Sequence, residues 1–169
     1  IGDLRRKVFF PPETAIFGSA LALGVQSAIE AAVLILVMIL IANVGLTTLV
    51  LPIILVLAGL FGLGIGFFVC VFNTHYRDVQ YLVGIILNAL FFLVPIVYPI
   101  SIIPEAHWGI PIRKMIEYNP VNQFVAAARE SAYLLEWASW NRWALIIFYS
   151  VASFALGWRF FNKRSMQLS

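Results

Sequence analysis

From Leu49 to Phe72 the chain carries no charged residue. About 20 apolar residues are enough for a helix to cross the hydrocarbon core of a bilayer. In lipid every backbone N–H and C=O must find its partner within the segment, so such a run can only be a helix. Ala20 to Ala42 is a second run, with Glu30 as its one ionisable residue. Tyr81 to Tyr98 is a third, broken at its far end by Pro95 and Pro99, and Trp143 to Phe161 is a fourth. The spacing predicts an all-α polytopic membrane protein, a single transmembrane domain over residues 1–169. Its four spans are expected over residues 13–43, 47–72, 79–98 and 142–161.

Composition agrees. The chain is 62% hydrophobic and 11% charged, with a mean hydropathy of +0.95. Soluble domains average about a quarter charged residues. Such a surface excludes a soluble enzyme, a nucleic-acid-binding domain and a disordered tail. The lone Cys70 gives no disulfide framework within the chain. The chain begins with Ile rather than Met, and its first charged cluster lacks the short apolar core and cleavage site of a signal peptide. Upstream sequence is therefore expected.

Between the spans the punctuation is uneven. Residues 1–12 hold Arg5, Arg6 and Lys7 beside Val8, Phe9 and Phe10, then Pro11 and Pro12. That is a short amphipathic piece, and a new helix should begin near Pro12, because proline suits the first turn of a helix. The uncharged Asn43-Val44-Gly45 suits a short external turn. Asn73 to Gln80, with His75, Arg77 and Asp78, is the charged loop in the middle of the chain. Residues 99–141 are mixed and Pro-punctuated, with two short helices expected over 111–118 and 121–135.

Arg5, Arg6, Lys7, Arg77, Arg159, Lys163 and Arg164 fall on one side of the four spans. Arg113, Lys114, Arg129 and Arg142, matched by Glu105, Glu117, Glu130 and Glu136, fall on the other. Lys and Arg concentrate on the cytoplasmic side, so both ends of this chain are expected in the cytoplasm. Trp108, Trp137, Trp140 and Trp143 then gather at the external boundary as an interfacial belt.

Several residues carry functional weight. Glu30, mid-helix with Gln26 one turn earlier and Ser27 beside it, is either a helix-joining hydrogen-bond group or part of a pathway. Gly62 and Gly66 form a GxxxG pair that admits a second helix at close range. His75 and Asp78 lack a nearby His or Cys, so Asp78 reads best as the cap of a helix starting at Val79. Residues 99–141 are expected to re-enter the membrane, which requires cover for their backbone. Tyr98, Trp108 and Tyr118 in or beside that segment either line an exit for sugars or anchor it at the interface. No G-x-x-x-x-G-K-[ST] occurs, so the chain has no phosphate-cradling loop.

Four motifs in order resemble the ABC-2-type permeases. They are the basic start with Phe10-Pro11, the loop ending in Arg77-Asp78-Val79, the run Phe91-Phe92-Leu93-Val94-Pro95-Ile96-Val97-Tyr98-Pro99, and Asn119-Pro120 followed by Phe124 and Arg129. The nearest resemblance is to polysaccharide exporters of the O-antigen, teichoic-acid and galactan type. It implies an ABC-2-type (type V exporter) transmembrane domain in which the four spans are the third to sixth of six. It also implies a bacterial cytoplasmic membrane, a second copy of the permease, two ATP-binding cassette ATPase subunits that hold ATP and Mg, and a lipid-linked glycan substrate. The chain itself would carry no cofactor, metal, catalytic residue or nucleic-acid partner.

By the same resemblance Arg5, Arg6, Lys7, Phe9, Phe10 and Pro11 form a coupling helix in the ATPase groove, with Arg77 and Asp78 near that interface. Glu30, Tyr98, Pro99, Trp108, Tyr118, Asn119 and Pro120 belong to the gate and translocation path. Two alternatives share the composition. One is an ABC-2 permease for a small hydrophobic drug or lipid. The other is an intramembrane enzyme, which requires Glu30, His75 and Asp78 to converge.

Overall fold

The computed structural model describes residues 12–76, 78–96, 98, 100–105 and 111–165. Among them every regular element is helical. Helix α1 covers Pro12–Leu40 and starts at the proline that presets its first turn. It closes on Ala42, whose φ of 55° is left-handed. Asn43 N–H donates to Met38 O at 2.9 Å and Ala42 N–H to Ile39 O at 3.0 Å, the paired bonds that satisfy a helix's last carbonyls. A tight turn of 3-10 helix, Leu46–Val50, leads into α2, Leu51–His75. There Thr48 Oγ accepts from Gly45 N–H at 3.3 Å.

Helix α3 covers Val79–Leu93 and α6 covers Trp140–Ser165. Between them lie a short 3-10 turn, Ile100–Ile102, then α4, Ile112–Glu117, and α5, Pro120–Arg129. Helix α5 runs on as one π-helical turn, Glu130–Leu134, ended by Leu135 at φ 57°. Among the described residues three helices are long and apolar enough to cross a membrane, over Phe17–Leu40, Leu46–Thr74 and Trp140–Arg164. Of the four expected spans the third is the shorter apolar helix α3. Fifteen residues rise about 22 Å, against roughly 30 Å of hydrocarbon core.

The molecule is held together by α2 and α6, which run parallel. Ser150 Oγ donates to Leu57 O at 2.8 Å and Ser153 Oγ to Phe61 O at 2.9 Å. One turn further Gly64 meets Gly157. A Cβ on Gly157 would stand 2.2 Å from Gly64 O, and one on Gly64 would stand 2.3 Å from Ser153 O. Close approach therefore falls on Gly64 and Gly157. The GxxxG pair Gly62 and Gly66 points elsewhere, with nothing among the described residues within 4 Å of an added Cβ.

Two apolar clusters complete the seam. Ile54, Phe124, Ala127 and Ile146 bury themselves at the end of the seam nearer Leu51 and Trp140, seating α5 against α2 and α6. Phe67, Val71 and Phe161 do so at the end nearer His75 and Ser165, with Phe67 5.4 Å from Trp158 and 5.3 Å from Phe161, ring centre to ring centre.

Helix α1 is attached at its two ends. Phe17 lies 5.9 Å from Phe67 and 5.8 Å from Trp158. At the other end Asn43 Nδ2 donates to Tyr133 O at 3.2 Å. Between these points α1 and α2 leave a groove of about 1000 Å³, floored by Gly24, Ala28, Gly59, Gly62 and Gly66.

Candidate functional site

The polar groups of the molecule gather where α3 ends and the α4–α5 hairpin begins. Helix α3 stops at Leu93 because Pro95 follows. The residue before a proline is driven out of the helical region, and Val94 is extended, at φ −81° and ψ 129°. Val94 and Pro95 are buried, so the chain turns inward under the hairpin.

The last carbonyls of a helix have no partner within it. Tyr98 supplies one, its hydroxyl donating to Phe92 O at 2.9 Å and to Leu93 O at 3.2 Å. Arg129, at the end of α5, supplies the next two. Its Nη2 donates to Pro95 O and to Ile96 O, each at 2.9 Å. Arg113 of α4 holds the following stretch: Nη2 donates to Ser101 O at 3.2 Å, and Nη1 pairs with Glu105 Oε1 at 3.2 Å.

The hairpin supplies many of its own hydrogen-bond partners. Asn119 caps α5, its Oδ1 accepting from Val121 N–H at 3.0 Å, and Pro120 occupies the first helical position. Asn122 Nδ2 and Gln123 Nε2 both donate to Glu117 O. Arg142, near the start of α6, pairs with Glu130 of the π-helical turn, and its Nε donates to Gln123 Oε1 at 3.2 Å. Tyr149 of α6 donates to Tyr118 O at 3.1 Å. Trp137 and Trp140 are 68% and 89% exposed beside this cluster, the placement an interfacial anchor takes.

Of the residues expected to act at the gate, Tyr98 closes the end of α3, while Tyr118, Asn119 and Pro120 form the turn from α4 into α5. Glu30 does not join them. It lies ten residues before the end of α1, about 15 Å along the axis, and is exposed, accepting from Gln26 Nε2 at 3.0 Å. Asp78 does precede α3, but its side chain makes no capping bond; Tyr81 and Leu82 N–H donate to its backbone oxygen instead. Arg5, Arg6, Lys7, Phe9, Phe10, Pro11, Arg77, Pro99 and Trp108 lie outside the described residues.

Arg113 and Arg142 were legible in the sequence only as external charge, and Arg129 also as part of the motif that follows Asn119-Pro120. Their signal was present: three arginines in an apolar, Pro-broken segment, where a backbone without helical partners needs donors. Among the described residues no group of His, Cys, Asp and Glu is placed to hold a metal ion.

No curated protein and no solved structure matches the chain. The family model described as ABC-2 type transporter matches residues 3–133. That stretch reaches from the basic start through α1, α2, α3 and the hairpin into the π-helical turn. Three membrane-length helices and a polar hairpin stitched to the end of a short apolar helix are thus the membrane domain of a transporter, and the chain belongs to the ABC-2 type transporter family.

Proposed function

We propose that this permease exports a lipid-linked polysaccharide across a bacterial cytoplasmic membrane, as one of two copies driven by two ATP-binding cassette ATPase subunits. The observation that carries this reading is the polar, aromatic-bearing hairpin at the outer end of α3. Tyr98 and Tyr118 stand beside it, and its arginines are already spent on backbone carbonyls and Glu130. Aromatic rings beside neutral hydrogen-bonding groups are suited to a passing sugar, which offers an apolar ring face and a rim of hydroxyls. Of the motifs of the resemblance, Asn119-Pro120 starts α5 of this hairpin, and Phe91 to Ile96 carry the end of α3 that Arg129 engages.

In this mechanism ATP binding draws the two ATPases together, and residues 1–12, with Arg5, Arg6, Lys7, Phe9, Phe10 and Pro11, ride in their groove. Arg77 and Asp78 lie near the same interface. Their displacement passes into α1 and α3, which open a path between the two copies, and the hairpin forms the outer gate. Both termini of the chain face the cytoplasm, in keeping with the count of Lys and Arg by side. Glu30 and Gln26 make a polar stripe on α1 that fits the wall of such a path, since a carboxyl at this depth is expensive against lipid tails.

A specific observation favours a second substrate class. The groove between α1 and α2 is apolar, about 1000 Å³, and floored by glycines and alanines, a shape suited to a hydrophobic drug or a lipid. The two readings separate in vesicles holding the permease with its ATPase. ATP-dependent movement of a lipid-linked glycan, with no extrusion of a hydrophobic dye, is the expected result. Dye extrusion with no glycan movement would replace the first reading by the second.

A further inference from the structure

Helix α3 is loosely anchored, as α1 is. None of its residues is buried, and its outer end stops about 8 Å short of a full crossing. Beyond Leu93 the chain is irregular, yet Val94 and Pro95 are covered. Irregular backbone at membrane depth persists only where protein satisfies it. Tyr98 does so from within the same segment. Arg129 does so from another element, and that element is fixed: Phe124 and Ala127 bury α5 against α2 and α6, with Phe124 5.5 Å from Phe61.

The two carbonyls Arg129 engages belong to Pro95 and Ile96, just past the negative end of α3's dipole. A cation is favoured there, and its bonds to neutral carbonyls are charge-assisted. One guanidinium nitrogen thus joins the rigid α2–α5–α6 body to the end of a helix that has no buried residue of its own. Position 129 is also where α5 passes into the π-helical turn. Such turns recur at functional sites, and this one is itself held by Arg142 through Glu130.

We propose that Arg129 is a latch: its two bonds to Pro95 and Ile96 hold the outer end of α3 closed against the hairpin, and their release is what lets α3 move when the exporter opens. Arg129 acts as a positioning residue, through the backbone after α3, and touches no substrate in this role. The proposal rests on the transport reading above and assigns its gate a closing contact.

The test uses the permease assembled with its ATPase in vesicles, with Cys70 replaced by Ser. Spin labels are placed at Phe92 on α3 and Phe148 on α6, both exposed. The wild type without nucleotide should give one narrow distance between the labels. Arg129→Gln should broaden it and raise nucleotide-independent leak of a small polar dye about tenfold, the size expected for losing a charge-assisted hydrogen-bond pair. Arg129→Lys keeps the charge and enough donors for both carbonyls, and should restore the narrow distance and the tight vesicles.

An unchanged distance in Arg129→Gln, or a broadened one without leak, overturns the latch. So does a Lys variant as loose as Gln, because then the donors to the carbonyls are not what matters. If the Gln variant does not assemble, the wild type decides. Binding of a non-hydrolysable ATP analogue should widen the Phe92–Phe148 distance, and a fixed distance overturns the proposal. Failure of the transport reading is seen separately, as wild-type vesicles that move no substrate with ATP while the label distances still respond to residue 129.

Discussion

Replacing Gly64 by alanine should loosen the α2–α6 seam, whereas the same change at Gly66 should not. The added Cβ at 64 would lie 2.3 Å from Ser153 C and O, where ordinary contact begins at 3.4 Å. Both obstructing atoms are backbone, so the helices must part by about 1 Å. The bonds from Ser150 to Leu57 O and from Ser153 to Phe61 O, now 2.8 and 2.9 Å, would then stretch past the length of a hydrogen bond. Interhelical bonds in membranes contribute about 0.6 kcal/mol each, and up to about 1.7. With some loss of packing around Phe67, the expected cost is about 1–3 kcal/mol. At Gly66 nothing among the described residues lies within 4 Å, and alanine is the better helix former, so the change should be neutral or slightly stabilising. Unfolding in mixed micelles titrated with SDS, followed by tryptophan fluorescence, measures both. Equal midpoints for the two variants would refute the reasoning. The double change at Gly64 and Gly157 should cost less than the sum of the two, because the first separation already makes room for the second.

Four further outcomes are expected. Asn119→Ala removes the cap of α5 and should cost about 1 kcal/mol; amide exchange at Val121 should quicken while α2 stays protected. Ala42→Gly relieves a left-handed alanine and should raise the SDS midpoint, by about 1 kcal/mol. Glu130→Gln leaves Arg142 half-buried without its ion-pair partner and should destabilise by up to about 3 kcal/mol, whereas the paired change Glu130→Gln with Arg142→Met should recover part of that loss in the same titration. Replacing Phe10 and Arg6 together should uncouple ATP hydrolysis from export without loss of membrane insertion; unchanged export in reconstituted vesicles would dispose of the coupling role given to residues 1–12.

Local chemistry made much of the fold legible. Pro12 marks the start of α1, and Pro111 and Asn119-Pro120 mark the two hairpin helices to within a residue or two, because proline and a capping side chain act on the backbone beside them. The third span was expected to run to Tyr98 and the helix stops at Leu93. The cause was equally local, since Pro95 forces Val94 out of the helix. What periodicity could not supply was direction. Gly62 and Gly66 have the right spacing for close packing, but successive residues turn about 100° around a helix. The face that meets α6 carries Gly64 instead, opposite Ser153 and Gly157. Residue type marked Tyr98, Tyr118 and Asn119 in the sequence, and in the structure Tyr98 and Asn119 take up helix-end hydrogen bonds while Tyr118 lends its carbonyl to Tyr149. Arg129 escaped notice as a site residue because its partners lie 33 and 34 positions away, and no local pattern encodes that pairing.

The distribution of strong contacts bears on how force would cross this molecule. Helices α2 and α6 share both apolar clusters and the serine and glycine seam, and α5 joins them through the cluster around Phe124 and Ala127, so the three behave as one body. Helix α1 is fastened by Phe17 at one end and Asn43 at the other, with an open groove between, and α3 has no buried residue at all. Helix α1 begins at Pro12, directly after the basic segment proposed to ride on the ATPase, and α3 begins at Val79, directly after Arg77 and Asp78. The two elements that would receive the push are thus the two that cost least to move. Opening that drew on α2 or α6 would have to break a seam in which glycine backbones touch. Opening that drew on α1 and α3 would disturb, among the described residues, no buried residue of either helix, and for α3 it would release the pair of bonds from Arg129.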